Sequence, residues 1–429
     1  MVVRLEPVRK PLAGFVALPY SKSVSARQIL IGLHSGAPFI IEGLSEADDT
    51  QRLIQIATNC GYRVENTGAA WRFEAGNVVL PPRLEVGEGG TTLRFALPWL
   101  VTLPGKAELY LGERLAQRPA QPLIEALREA GAHIEAIGGR LQITGNPEWK
   151  PSIFRVDASQ SGQFLSALFL MASRLEIGSE VVETSGHPAT LSYVERLTNG
   201  VLQKAGYFWA QVRPGHWVLA AKKSPSENPH FYAGEADWSG AGYFWGWAMG
   251  TLAKLDLPLS LTSEQPERTF WVEGGWPLEV EAMAVGLRLT SKGEPLRGWE
   301  GDISAVPDTF PTLAALAAFS SEPWAIWGIR TLPYKESNRL SAMQRELSKI
   351  GAHLEWEGDI CRIFPVKNLV RAPVHFSSHG DHRVAMALSI LATRAEAPTY
   401  IHQAEVVGKS FPAYWEVLRR IGISLTFEI

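Results

Sequence analysis

One phrase recurs six times along this chain of 429 residues: an amphipathic helix, a glycine, then a short strand of alternating polarity. The copies are IATNCGYRVE around Gly61, LREAGAHIEA around Gly131, LQKAGYFWAQ around Gly206, MAVGLRLT around Gly286, LSKIGAHLEW around Gly351 and LRRIGISLTF around Gly422. A spacing of roughly 65 to 80 residues is too long for a solenoid repeat and long enough for a small helix-and-sheet unit with its own apolar face. Each glycine follows the last apolar helix position, where a left-handed residue closes the helix and only glycine takes that conformation without strain. AHIEAIGGRLQITG and AHLEWEGDICRIFP then read as hairpins with tight glycine turns. The predicted class is mixed α/β, built from six repeated helix-and-sheet subdomains.

The chain is longer than a single hydrophobic core usually grows, so two domains of three subdomains are expected. Apolar residues at 46% and charged residues at 20% exclude a disordered or collagen-like chain. A formal net charge of -3 argues against general binding to nucleic acid or acidic membranes, so any anion site must be a local cluster of cations. No stretch is apolar for long enough to be a signal segment or a membrane span, and a cytoplasmic protein is expected. Cys60 and Cys361 sit in no metal-binding or disulfide spacing and read as buried thiols. The tryptophans between Trp209 and Trp276 lack basic neighbours and read as packing residues.

Several short segments carry chemistry. Ser21-Lys22-Ser23 with Arg27 opens an apolar helix, whose first amides favour an anion. Gly87-Glu88-Gly89-Gly90-Thr91-Thr92-Leu93-Arg94 is a glycine-rich turn that lets backbone amides approach an oxyanion, but it lacks the Gly-Lys-Ser/Thr ending of a nucleotide loop. Arg118 precedes Pro119, which stiffens its loop. Ser159-Gln160-Ser161-Gly162-Gln163 leads into an apolar helix. Farther on stand Val306-Pro307-Asp308, Lys335-Glu336-Ser337-Asn338-Arg339, Gly380-Asp381-His382-Arg383 and Gly408-Lys409-Ser410-Phe411-Pro412. Lys335, Glu336 and Arg339 are predicted to open a helix whose inner face holds Leu340, Met343, Leu347 and Ile350. Taken singly, each segment is equally readable as a capped helix or a solvated surface loop. His379, Asp381 and His382 could be imagined as metal ligands, but salt bridging at a helix start fits them better.

In this order and spacing, the segments from Ser21 to Pro412 resemble the 5-enolpyruvylshikimate-3-phosphate (EPSP) synthase family. The resemblance implies two inverse α/β, barrel-like domains closing over their substrates, with the chain crossing twice between them. The expected boundaries are 1–17 with 235–429 for one domain and 18–234 for the other. It implies that Lys22, Ser23, Arg27, Ser161, Gln163, Asp308 and Lys335 hold shikimate 3-phosphate. It further implies that Lys22, Gly90, Arg118, Gln163, Arg339, Arg383 and Lys409 surround phosphoenolpyruvate. The implied catalytic residues are Asp308 as base for the acceptor hydroxyl, Glu336 as proton donor and acceptor at C3, and Lys22 at the departing phosphate. No metal, organic cofactor, nucleic acid or membrane partner is implied, and a monomer is expected.

The sequence departs from the family pattern mainly on the acceptor side. Glu88 stands where the family has Asn, Gly162 where it has a second serine, and Thr331 where it has Asn. Ser185-Gly186-His187-Pro188-Ala189 replaces a segment that ends in an aromatic residue. These changes leave two competing readings: an enolpyruvyl transferase with another acceptor, such as UDP-N-acetylglucosamine, and a homologue that binds anions without catalysis.

Overall fold

The structure is a computed structural model and describes residues 1–117, 120–223, 230–367 and 371–428. Contacts divide it into two units, one of Met1–Pro19 with Ala236–Ile429 and the other of Tyr20–Glu235. Each unit holds three four-stranded sheets.

One plan repeats in all of them. Strands Arg83–Gly87 and Gly105–Leu111 are parallel, Arg140–Gly145 lies antiparallel beside the second, and His133–Ile137 closes the edge. A parallel pair cannot be joined by a tight turn, so a helix, Gly90–Leu100, makes the crossover. The last two strands are a hairpin across Gly138 and Gly139, both at positive φ. Three sheets recruit a strand from a distant part of the sequence. Val2–Leu5 is inserted between Thr399–His402 and Leu425–Glu428. Leu12–Phe15 pairs parallel with Ala253–Leu257, and His230–Ala233 pairs parallel with Phe39–Glu42.

Helix composition follows position in the unit. The crossover helices Lys22–Ser35, Gly90–Leu100, Trp238–Gly250, Phe310–Ala317 and His382–Ser389 are buried along nearly their whole length, the first and last with charged and polar side chains among the buried residues. Helices that follow the second strand are amphipathic. In Gln121–Glu129 only Leu123, Ile124, Ala126 and Leu127 are buried.

Gly61, Gly131, Gly206, Gly351 and Gly422 stand where the sequence places them, just after a helix and at positive φ. The fourth copy is different. Gly286 lies in the hairpin between Leu278–Met283 and Gly286–Ser291, and the preceding helix Pro266–Glu273 ends at Gly274 and Gly275. Leu287 and Leu289 are buried on alternate positions, the period of a strand rather than of a helix end.

The tryptophans pack inward: Trp238, Trp245, Trp247 and Trp271 are fully buried, and Trp276 stacks on Trp299 at 5.4 Å between ring centroids. Cys60 and Cys361 are buried free thiols, each pushed up to about 12 by burial and therefore unreactive at neutral pH. Among the described residues, no helix is long and apolar enough to cross a membrane.

Candidate active site

In the unit Tyr20–Glu235, three buried helices carry the sequence-predicted residues at their starts. Ser21 caps the first, its Oγ accepting from the Val24 amide. This places Lys22 in the first turn, where its Nζ lies 3.2 Å from Asp49 Oδ2. Thr92 Oγ1 donates to the Asp49 carbonyl, so the glycine-rich turn abuts the same acidic residue. A Cβ at Gly89 would collide with the Asp49 carboxylate, which explains why that turn position carries no side chain. Gln163 joins the third segment to the turn: its Nε2 donates to Thr91 Oγ1 at 3.0 Å, and its Oε1 accepts from Arg94 at 2.7 Å. Arg27 is 3% exposed, lies over the Phe95 ring, and donates to the Ser23 carbonyl, Thr198 Oγ1 and Ser166 Oγ.

Ser161 Oγ accepts from the Gln163 amide at 3.3 Å. Gly90 begins the helix Gly90–Leu100. Glu88 braces the turn, its Oε2 accepting from the Leu115 amide at 3.0 Å and tethering the short helix Glu113–Ala116. Arg118 lies outside the described residues.

The other unit gathers the remaining charges into one network. Asp308, on the turn Pro307–Thr309, receives Lys335 at 3.2 Å, Arg339 at 2.7 Å and Arg383 at 2.9 Å. Arg339, only 2% exposed, also meets the fully buried Asp381 at 3.0 Å. Asp381 caps the helix His382–Ser389 by accepting from the Arg383 amide, so one carboxylate fixes both arginines. Glu336 accepts from His382 Nδ1 at 2.9 Å and from Lys409 at 3.4 Å, and Lys409 also reaches the Gly380 carbonyl. The helix predicted to open at Lys335 begins instead at Arg339. Asn338 caps it, accepting from the Ser341 amide, and as an N-cap residue it marks the helix start more strongly than the charges before it. Lys335 and Glu336 therefore sit in the approach loop, where side-chain partners rather than the helix dipole hold them.

Burial disfavours ionising Asp308, but Arg383, Lys335 and Arg339 outweigh it and hold the carboxyl well below the usual range. Asp381 is likewise lowered, with burial overcome chiefly by Arg339. Burial pulls the Lys335 ammonium down despite Asp308 beside it. Four cations thus face three carboxylates, each bond a charge-assisted one in which an incoming anion would compete with the resident carboxylate. Glu336, Asp381 and His382 have ligand atoms within 4.8 Å of one another, the spacing a metal site needs. Arg339 and Lys409 already occupy those carboxylates, so this set offers an ion little uncompensated negative charge.

A sequence model of EPSP synthase, 3-phosphoshikimate 1-carboxyvinyltransferase, matches residues 8–418. The chain belongs to the EPSP synthase family. The 3-phosphoshikimate 1-carboxyvinyltransferase of Dehalococcoides mccartyi is 31% identical over 427 residues, covering 97% of each chain. The EPSP synthase structure from Acinetobacter baumannii shares the fold at a TM-score of 0.79 and 23% identity, covering 99% of this chain and 100% of that one. An enolpyruvyl transferase from Streptomyces tendae shares it at 0.75 and 14% identity, covering 99% and 98%. The likeness to these solved structures carries the fold alone, and family membership rests on the full-length sequence match.

The sequence motifs contain the charged residues that gather in these networks, but not all of the partners that hold them. Asp49, Arg94, Asp381 and His382 were assigned no binding or catalytic role. The available signals were the acidic pair opening helix Asp48–Asn59, the arginine ending the glycine-rich segment, and the acid and histidine flanking Arg383.

Proposed function

We propose that this chain transfers the enolpyruvyl group of phosphoenolpyruvate to the 5-hydroxyl of shikimate 3-phosphate, giving EPSP and phosphate. The observation that carries this reading is the cation network on Asp308, Glu336 and Asp381 in a chain matched to EPSP synthase along nearly its whole length. Both substrates carry a phosphate and a carboxylate, and partly buried lysines and arginines meet such groups with far stronger contacts than solvated ones do.

In the addition step the acceptor oxygen bonds to C2 of phosphoenolpyruvate and loses its proton, while C3 gains one and becomes a methyl group. In the elimination step C3 returns a proton, the C2–C3 double bond re-forms, and the C2–O bond to phosphate breaks. Glu336, set between an imidazole and an ammonium, is the proposed proton carrier at C3. Asp308 is the proposed base for the hydroxyl. Held by three cations it is a weak base; a substrate anion that draws Lys335, Arg339 or Arg383 away raises its proton affinity at the moment it is needed. Arg339, Arg383 and Lys409 are assigned to phosphoenolpyruvate together with Arg118, Gly90 and Gln163. Lys22, Ser23, Arg27, Ser161, Gln163, Asp308 and Lys335 are assigned to the acceptor, and Lys22 also to phosphoenolpyruvate and its departing phosphate.

A phosphate-release assay tests the reading. Release that requires both phosphoenolpyruvate and shikimate 3-phosphate is expected; binding of both without release would leave only an anion-binding homologue, and release with a different acceptor would reassign the specificity.

A further inference from the structure

Gly162, where the family pattern has a serine, is filled from elsewhere. A Cβ built on Gly162 would lie 2.5 Å from the Ala189 carbonyl and 2.7 Å from Thr190 Oγ1. The hydroxyl of Thr190 thus occupies the space a side chain at 162 would take, between Ser161 and Gln163. Thr190 also has φ +50. A β-branched residue in the left-handed region is a true outlier, and such strain persists only where the surroundings impose it and is concentrated at functional sites.

Those surroundings are built. Glu183 is 8% exposed, and its carboxylate accepts from the amides of Ala158 at 3.0 Å, Ser185 at 3.0 Å and Gly186 at 2.8 Å, as well as from the Ser185 hydroxyl. Backbone bonds from Thr184 to Val156 and from Ala189 to Ala158 zip the same two segments together. The Tyr193 amide then donates to the Thr190 carbonyl at 3.0 Å and closes the turn. Thr190 Oγ1 itself makes no hydrogen bond among the described residues.

We propose that Thr190 is a specificity-determining residue whose hydroxyl hydrogen-bonds the anionic acceptor beside Ser161, replacing in space what Gly162 lacks in sequence. The inference rests on the acceptor reading given above. Glu183 is its positioning residue, holding the segment 183–190 against 156–163. The changes at 162 and at 185–189 are then one coupled adaptation: a serine restored at 162 alone would meet the Ala189 carbonyl.

Steady-state kinetics and direct shikimate 3-phosphate binding by calorimetry, on the full chain, decide the matter. Thr190→Val keeps the branch and removes the hydroxyl; it is expected to raise KM and Kd for shikimate 3-phosphate about tenfold, with KM for phosphoenolpyruvate unmoved. Thr190→Ser keeps the hydroxyl and retains the acceptor affinity. Thr190→Gly loses the affinity as Val does, but its Tm is no lower than wild type, which separates the hydroxyl from the strained backbone. Wild-type acceptor affinity in Thr190→Val overturns the proposal, as does an equal loss of affinity for both substrates. If wild type binds shikimate 3-phosphate without turnover, the enzymatic reading falls and the Kd of Thr190→Val still decides this one. If it does not bind at all, both fall.

Discussion

Asp308→Asn removes the one carboxylate shared by Lys335, Arg339 and Arg383 and leaves its shape in place. Arg339 keeps Asp381 as a partner, so the loss falls heavily on Lys335, already pulled down by burial. Breaking a buried ion pair by removing one member costs about 3–5 kcal/mol, and the 22% exposure of Asp308 points to the lower end. A loss of about 3 kcal/mol in a unit of this size lowers Tm by roughly 6–12 °C. The same carboxylate competes with any anion for these cations, so its removal has a second, opposite effect: inorganic phosphate binds the variant more tightly than wild type. At phosphate concentrations of about 100 Kd, binding returns about 2.7 kcal/mol, nearly the whole deficit. Thermal unfolding of both proteins over a phosphate titration reads both effects. A variant Tm within about 2 °C of wild type, or a phosphate-induced rise no larger than the wild-type one, refutes the reasoning that Asp308 stands in for a substrate anion in this network.

Two further outcomes follow from the geometry. Glu336→Gln retains the shape that meets His382 and Lys409 but cannot carry a proton; kcat falls by about 10²–10⁴ while phosphoenolpyruvate still binds, and an active variant would remove Glu336 from the proton path. His34 is buried with neither ring nitrogen hydrogen-bonded among the described residues; burial, aided by Arg174, holds it well below its usual range. The folded state refuses a proton that the unfolded chain takes up below about pH 6.5, so stability is present above that pH and lost as pH falls. Urea unfolding of wild type against His34→Leu should differ by about 1.4 kcal/mol more at pH 5.5 than at pH 7.5, in favour of the leucine variant; a difference independent of pH would show that His34 is already protonated or solvated in the folded protein.

The sixfold rhythm was legible because helix-capping glycines and hairpin turns are local signals, each needing only a few residues to be recognised. It failed at Gly286, where a hairpin glycine preceded by an apolar stretch mimics a helix end; only the strand pairing separates the two. The charged motifs were readable as types but not as partners. Nothing in the sequence near Asp308 says that it will meet Arg383, 75 positions away in the numbering, because that contact is set by how two buried helices pack. Asp49, paired with Lys22, was hidden for the same reason. Thr190 was invisible for another: its sequence neighbourhood is an ordinary loop, and only its backbone conformation and its approach to Gly162 single it out. The absences at 162 and 189 were plain, whereas what fills them is a property of the fold.

Turnover in deuterium oxide, with phosphate release measured beside the mass of the product, bears most directly on addition followed by elimination. If C3 passes through a methyl group, phosphate appears only with both substrates present and the vinyl carbon of the product carries deuterium from solvent. Phosphate release with no deuterium in the product would contradict the sequence of bonds made and broken, and no release at all would contradict the transfer itself.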